Sequence, residues 1–470
     1  TRNNVPLASN LRFNLGSGDL DDTQLSDGGL SVLNRLYSYI GRVNYDYKNK
    51  YLFNASYRRD GSSKFQEESK FGDFFAVSAG WVLSEESFMK DGVFDILKLR
   101  ASYGELGNQN VPFNVLTATT GSGGFYALGP NQALQQGITI AGTVQEDLTW
   151  EVTKELNIGA EFSLFDYRLS GEVDYYERLN SNATLQINLP DVIGFAPFNS
   201  HVGEIENNGI EASLNWSDAI NDNFKYHIGG NFSYNKNELK KVTNAFFNEQ
   251  RGGFIDNGQY TKKVAIGQPL GSFFLYDIAG IDDRGEFIYK DINNNGTIDE
   301  GDRQFFGSYI PKYFFSVNFG FEYKNFDFNV DTFGNTGNKV YNGKKAQRFG
   351  NENIEQAVFN NRWTSGTPSS TGPIASNDVP LSSTYYLESG DFFRINNITL
   401  GYTLPKNISQ HFSKIRIYAS AKNSFIFKKF SGFTPELSGN EGGNPLGTAG
   451  IELDAYPTLK SFYIGINTSF

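Results

Sequence analysis

Oxygen-bearing side chains recur at regular spacing between residues 291 and 302. The candidate ligands are Asp291, Asn293, Asn295, Thr297, Asp299 and Asp302. Their spacing follows that of a calcium-binding loop, with Gly296 where the chain must turn sharply. A hard cation needs several converging oxygen atoms, and one turn supplies them here, with Thr297 contributing its carbonyl oxygen. We therefore predict a structural calcium site that braces a long loop and has no catalytic role.

The same segment has a plainer interpretation. Asp302 stands where the helical calcium loop has a bidentate Glu, so closure around the ion would be looser. The flanking residues have the alternation of strands and not of helices. Asn, Asp and Gly also cluster in ordinary polar turns, because their side chains hydrogen-bond to nearby backbone. A polar turn in a long loop therefore remains the alternative to a calcium site.

Other chemistry-bearing residues form no recognisable catalytic set. The chain has no cysteine, which excludes thiol catalysis, disulfides and cysteine metal sites. Its three histidines, His201, His227 and His411, are not paired at a ligand spacing such as i, i+4. The sequence has neither a Gly-x-Ser-x-Gly elbow nor a phosphate-binding glycine loop. We predict no enzymatic activity, and the net charge of −11 argues against a nucleic-acid partner.

The composition indicates a β-barrel in a membrane. Aromatic residues make up 15% of the 470 residues, with 42 Phe and 26 Tyr, yet the mean hydropathy is only −0.42. No stretch approaches the roughly 18 consecutive apolar residues of a membrane-spanning helix. A barrel reconciles these values, because its strands alternate lipid-facing apolar residues with polar ones and carry aromatic girdles at both interfaces.

Period-two alternation recurs in segments of about ten residues, as expected for membrane-spanning strands. In the clearest segment, Tyr313, Phe315, Val317, Phe319 and Phe321 share the face that we expect to contact lipid. We expect Asn318, Glu322, Asp327 and Asn329 to face the lumen. The predicted strands cover, approximately, residues 37–47, 51–59, 74–82, 97–106, 150–164, 169–179, 204–216, 225–239, 313–323, 326–331, 394–404, 415–424 and 459–470.

The connections between the predicted strands alternate in length. Short links lie at residues 48–50, 166–168, 221–223, 324–325 and 406–413, and long ones near 107–149, 180–203, 240–312, 334–392 and 425–458. Short periplasmic turns and long extracellular loops are typical of outer-membrane barrels. The calcium-type segment 291–302 then lies in the long extracellular loop 240–312. Because bacterial barrels have an even number of strands, about 13 strands predict that others complete the barrel.

Ordered sequence motifs resemble those of SusC/RagA-type TonB-dependent outer-membrane transporters. They are Arg58-x-Asp60-Gly61-Ser62-Ser63-x-Phe65, Leu99–Gly104 followed by Gly107-Asn108, Trp150-Glu151-x-Thr153 with Asn157-Ile158-Gly159, Asn208–Glu211, Arg362-Trp363-Thr364, Tyr386-Leu387-Glu388 and Arg394–Pro405. Any one of these matches is weak, whereas their order and spacing along nearly the whole chain are specific.

The resemblance implies a fold class and a place in a larger protein. The expected fold is all-β, a transmembrane antiparallel β-barrel in the Gram-negative outer membrane, with residues 1–470 as the C-terminal portion of a roughly 22-stranded plugged barrel. The plug domain, the first strands and the segment that contacts TonB would belong to a region N-terminal to this chain.

The resemblance also implies a function and partners. Such transporters take up glycans, oligosaccharides or peptides together with a SusD-like surface lipoprotein. The other partners would be TonB, the remaining barrel strands, the plug and the membrane lipid. A passive porin-like channel and a soluble β-sandwich or adhesin with a calcium-braced loop are the alternatives. The sequence does not indicate the substrate or its contact residues.

Overall fold

The computed structural model describes residues 2–3, 19–20, 34–90, 92–110, 120–128, 133–140, 149–187, 198–243, 250–255, 258–347, 353–405, 412–437, 446–453 and 455–469. Thirteen long strands form one antiparallel sheet. They are β1 Leu36–Tyr47, β2 Tyr51–Ser62, β3 Phe71–Val82, β4 Phe94–Asn108, β5 Glu151–Leu164, β6 Leu169–Ile187, β7 Phe198–Asn221, β8 Phe224–Val242, β9 Tyr313–Tyr323, β10 Phe326–Thr336, β11 Phe392–Thr403, β12 Lys414–Lys428 and β13 Ser461–Ser469.

Each of these strands pairs with the next one along the chain, so that β1 and β13 lie at the two edges of the sheet. All thirteen correspond, in order, to the predicted strands. Four connections at one end of the sheet are tight, at residues 48–50, 165–168, 222–223 and 324–325. In the turn between β1 and β2, Lys48 and Asn49 have φ of 58° and 54°, which is the type I′ geometry that matches the twist of a hairpin. The connections that contain residues 243–312, 337–391 and 429–460 all lie at the other end.

The pairing register gives the sheet two chemically distinct faces. One row of paired residues across β8 to β13 consists of Ile228, Phe319, Val330, Ile398, Ala421 and Phe462. The row beside it consists of Gly229, Asn318, Asp331, Asn397, Lys422 and Ser461. Large side chains of the apolar face are exposed, as Phe462 at 76% shows. A sheet that leaves such side chains uncovered by protein is typical of one that faces lipid.

Strands β6 and β7 run further than the alternation predicted. The prediction ended the first strand at residue 179 and began the second at 204, whereas the strands extend over Leu169–Ile187 and Phe198–Asn221. The added residues include Ala183 and Ile187, which are buried against residues of other connections. The predicted long loop 180–203 is therefore shorter than expected, because part of it continues the hairpin into a buried cluster.

The long connections are not plain loops. We call the described residues 250–255, 258–312, 337–347, 353–391, 429–437 and 446–453 the loop layer. It contains a four-stranded antiparallel sheet in the order Arg251–Gly252, Lys262–Lys263, Ser272–Tyr276 and Arg303–Ser308. It also contains the strand pairs Ile278–Ile281 with Phe287–Tyr289 and Lys339–Tyr341 with Leu387–Ser389, the helices α1 Gly343–Gln347 and α2 Gln356–Asn361, and the 3-10 helices Glu300–Asp302 and Thr384–Tyr386.

Smaller elements complete the described structure. Thr120–Leu128 pairs with Ala133–Ile140, Arg2–Asn3 pairs with Asp19–Leu20, and Leu83–Glu85 forms a 3-10 helix. Among the described residues, no helix combines the length and the apolar character that crossing a membrane would require.

Candidate functional site: polar wall and loop layer

We call the polar face of the sheet the polar wall. Charged side chains on this face join neighbouring strands. Arg100 on β4 reaches across β5 to Asp174 on β6, with Nε 3.1 Å from Oδ1 and Nη2 2.5 Å from Oδ2. It also pairs with Glu161 and with Glu172. Gly159 lies between Arg100 and Asp174, and a Cβ there would come within 2.1 Å of the Asp174 carboxylate. Glycine is thus required for this pair to form across three strands.

A second pair repeats this arrangement near the other edge of the sheet. Arg416 on β12 makes a bidentate ion pair with Asp327 on β10, with Nε 2.8 Å from Oδ1. Gly401 on the intervening β11 leaves room for the two side chains. Bidentate Arg–carboxylate pairs are among the stronger charge-assisted hydrogen bonds. The polar wall therefore has fixed charges in fixed positions, as a surface that lines an aqueous lumen requires.

The loop layer has a core of its own. The buried residues Ile255, Phe273, Leu275, Tyr341, Ala346, Tyr386 and Ile451 form one cluster, and three long connections contribute to it. Tyr341 bridges to Ile451 and Tyr276 to Ser383 as isolated parallel pairs. Burying aromatic and aliphatic side chains in this way stabilises the packed arrangement of the connections. The three connections consequently form one packed unit.

Two buried cations hold the same unit together. Lys262 is 0% exposed, and its Nζ donates to the carbonyl oxygens of Gly447 and Ala449 at 2.7 and 2.5 Å. Arg303 donates from Nη1 to the carbonyl oxygens of Tyr260 and Phe274, both at 3.1 Å. A buried charge is costly unless it is hydrogen-bonded, so these bonds tie the cations' partners to defined positions. Lys262 thereby links two connections that are about 185 residues apart.

A carboxylate links the third connection, residues 337–391, to the connection that contains residues 429–460. Glu388 accepts hydrogen bonds from Asn342 Nδ2 at 3.0 Å and from the backbone N–H of Ser431 at 2.6 Å. Two partly buried tyrosines of the loop layer, Tyr289 and Tyr385, are uncharged. Burial raises the pKa of Tyr289 and of Tyr385 to about 12. These hydroxyl groups therefore stay protonated across the physiological range.

The predicted calcium segment is a turn rich in side chain–backbone hydrogen bonds. Asp302 is buried, and its carboxylate accepts from the backbone N–H groups of Ile292, Asn293 and Asp299 at 2.7, 3.2 and 2.8 Å. The hydrogen bond from the Asp299 N–H, together with the other two, lowers the pKa of the Asp302 carboxyl. Asp291 accepts in the same way from the N–H of Gly296 at 2.8 Å.

The predicted ligands lie in this one turn, with Asp299 accepting from the amide Nδ2 groups of Asn293 and Asn295 at 3.2 and 2.8 Å. The Thr297 N–H donates to Asn295 Oδ1. In the described part of the chain, no three His, Asp or Glu side chains form a group that could hold a metal ion. The calcium site stays a prediction.

The histidines have separate locations. His201 lies where Thr149 N–H donates to its Nε2 at 2.9 Å, while its Nδ1 is 3.0 Å from the Asn182 carbonyl oxygen. His227 is on the polar wall, opposite Gly320. His411 lies outside the described residues. The two described histidines thus occupy different parts of the fold.

The buried residues of the loop layer were not predicted from sequence. The run Ser272–Tyr276 is a short apolar segment bounded by Gly271 and Asp277, which is a signal for a buried strand. Lys262 and Arg303 gave no comparable signal, because basic residues are usually solvent-exposed.

Comparisons with known proteins agree with this architecture. Residues 8–424 match the family described as TonB dependent receptor-like, beta-barrel. SusC of Bacteroides thetaiotaomicron is 30% identical over 458 residues, which cover 93% of this chain and 44% of SusC. TonB-dependent receptor P26 of Formosa agariphila is 31% identical over 469 residues, covering 93% of this chain and 46% of that receptor.

A solved structure, that of the RagAB peptide transporter, matches with a TM-score of 0.80 over 97% of this chain and 50% of that chain, at 23% identity. The match supports the fold. The chain spans about half the length of the curated relatives it matches. It therefore belongs to the TonB-dependent receptor family, as a SusC-type segment of an outer-membrane β-barrel.

Proposed function

We propose that this chain forms the C-terminal part of the barrel of a TonB-energised outer-membrane importer of SusC type. Its substrates would be glycans, oligosaccharides or peptides. The observation that carries the proposal is the alignment with SusC over 93% of the chain, together with a sheet whose second face is polar and charged. RagAB, the structural neighbour, is a peptide transporter.

The proposed partners would contact different parts of the barrel. A SusD-like lipoprotein would dock on the loop layer, since the packed connections make a firm platform there. A plug domain would fill the lumen, and the remaining strands would pair with the two edges β1 and β13. TonB would act through the region N-terminal to this chain. A catalytic role is not proposed, because the matched family consists of receptors and transporters.

A passive porin-like channel is the alternative, and energy dependence separates the two. Uptake of labelled oligosaccharides and peptides should be measured in cells whose only route is the full-length protein. Import that stops when the proton gradient is collapsed, or when TonB is deleted, supports the energised importer. Uptake that persists at the same rate in both cases would instead identify a passive channel.

We also propose that residues 291–302 bind a structural calcium ion. The set of oxygen donors and their loop spacing support it. The carboxylate of Asp291 and the amide oxygens of Asn293 and Asn295 would turn from backbone N–H groups to the ion, and Asp302 would close the loop. The ion would brace the loop that docks the lipoprotein, and it would take no part in transport chemistry.

A further inference from the structure

A cavity of about 600 Å³ opens within the loop layer. Its walls come from three parts of that layer, namely the strand Phe287–Tyr289, the region of helices α1 and α2, and residues 373–386. The volume falls in the range of small-molecule sites, which are mostly apolar with a few placed polar groups. Phe287, Tyr289, Ile374 and Tyr385 give this cavity the same character.

Two cations face this mostly apolar space. Lys345 lies with Nζ 3.8 Å from the ring centroid of Tyr385. Arg362 stacks at 3.7 Å over the ring of Phe359 and donates from Nη1 to that residue's carbonyl oxygen at 3.0 Å. Within the described parts of the chain, neither cation makes an ion pair with a carboxylate. Both therefore retain hydrogen-bond donors for a ligand.

The acidic side chains of the cavity wall are engaged by their own neighbours. Glu286 pairs with Arg284 at 2.9 Å, and Asp378 accepts from the hydroxyl of Ser376 at 3.3 Å. Neither pairs with Lys345. These acidic side chains therefore do not compete with a ligand for direct contact with Lys345.

The carboxylates nearest to Lys345 on the protein side are also occupied. Glu355 pairs with Lys344 at 2.9 Å, and Glu388 accepts from Asn342 and Ser431. Burial lowers the pKa of the Lys345 ammonium, while the charges of Glu388 and Glu355 oppose that change. A partly buried ammonium without a direct counter-ion gains most from an anion that enters the cavity with its own apolar surface.

We propose that this cavity binds an organic carboxylate with an apolar body, such as the C-terminal residue of a short apolar peptide or another aliphatic or aromatic acid. The carboxylate pairs with Lys345 and Arg362, and the apolar body contacts the aromatic and aliphatic walls. The inference goes beyond the proposed function, since binding here needs neither a plug nor TonB.

Calorimetric titration of the purified full-length transporter tests the charge and the apolar body separately. The probes are N-acetyl-L-phenylalanine, its uncharged amide, and glucuronic acid, which has a carboxylate without an apolar body. The N-acetyl acid should bind about tenfold tighter than its amide, as expected for losing one charge-assisted contact. It should also bind tighter than glucuronic acid.

Variants then identify the cations. Lys345→Gln and Arg362→Gln should each bring the affinity for the acid close to that for the amide. Lys339→Gln, at an exposed lysine of the same layer that does not line the cavity, should leave it unchanged.

Equal affinity for acid and amide, or no detectable binding of either, would overturn the proposal without reference to any variant. If glucuronic acid bound as tightly as N-acetyl-L-phenylalanine, the proposed contact between an apolar body and the cavity walls would be wrong. This experiment measures binding and not uptake. A negative result here would therefore not contradict the proposed transport function. Likewise, a loss of energised uptake would not contradict this binding site.

Discussion

Large apolar side chains are exposed on the sheet and buried in the loop layer. On β13, Ile464 is 86% exposed, and on β1 Val43 is 62% exposed. In the loop layer, Phe273, Leu275 and Tyr341 are 0% exposed. The sheet is stabilised by its ladder of backbone hydrogen bonds and by lipid against its apolar face. The loop layer is stabilised as a water-soluble domain is, by a buried core and hydrogen-bonded buried charges.

The difference implies that the two regions fail independently. A substitution that opens the loop core should leave the strands paired, and a charge on the apolar face should destabilise the sheet without loosening the loop core. Substitutions in the full-length protein test this separation.

Phe273→Ala should open the loop layer. Phe273 is fully buried and its ring stacks on Tyr341 with centroids 6.2 Å apart, so truncation should cost about 3–5 kcal/mol. Limited proteolysis should cut within residues 258–312 while the barrel keeps its heat-resistant mobility on a gel. Phe319→Ala, on the apolar face of β9, is the matched control and should leave those cuts unchanged. Loss of barrel mobility in Phe273→Ala would show that the two regions are one cooperative unit.

Val317→Arg should destabilise the sheet. Val317 is 44% exposed on the apolar face of β9, and an Arg near the middle of the bilayer costs on the order of 2–4 kcal/mol. The neighbouring Asn318→Arg places the same charge on the polar face and should cost much less. Denaturant unfolding in lipid vesicles measures both. Equal tolerance of the two substitutions would contradict the assignment of the faces.

The smallest expected effect concerns the proposed calcium ion. Asp291→Asn combined with Asp299→Asn should loosen the loop around residues 291–302 to protease, because two carboxylate ligands are lost, while the sheet stays intact. A chelator should have the same effect on the native protein and none on the double variant. An experimental structure should show an ion with oxygen atoms at roughly 2.3–2.6 Å. Equal protection with and without chelator would leave the segment as a polar turn.

Much of the sheet could be predicted from sequence because the alternation that identifies a strand lies within the strand itself. Period-two alternation specifies both faces of a strand, and all thirteen strands were found in order. The loop layer could not be predicted in this way. Its strands are two to six residues long, too short for a period to be recognised. Its burial also depends on contacts between distant segments, as Lys262 with Gly447 shows.

The two candidate sites differ in the same way, since one lies within a single segment and the other is formed by distant segments. The calcium-type spacing is visible in sequence because all its ligands lie within one turn. The cavity beside Lys345 and Arg362 was not predicted, since three separate segments form it and basic residues at a surface are common.

In a barrel wall, the apolar face of the sheet contacts lipid and the polar face lines the lumen. Spin labels attached to single cysteines at positions 317, 318, 319 and 322 can report this, because the chain has no cysteine of its own. In vesicles, the labels at Val317 and Phe319 should collide mainly with molecular oxygen dissolved in lipid. Labels at Asn318 and Glu322 should collide mainly with a water-soluble nickel complex. Collision rates that do not alternate along β9, or that alternate in the opposite sense, would contradict a barrel wall with a polar lumen.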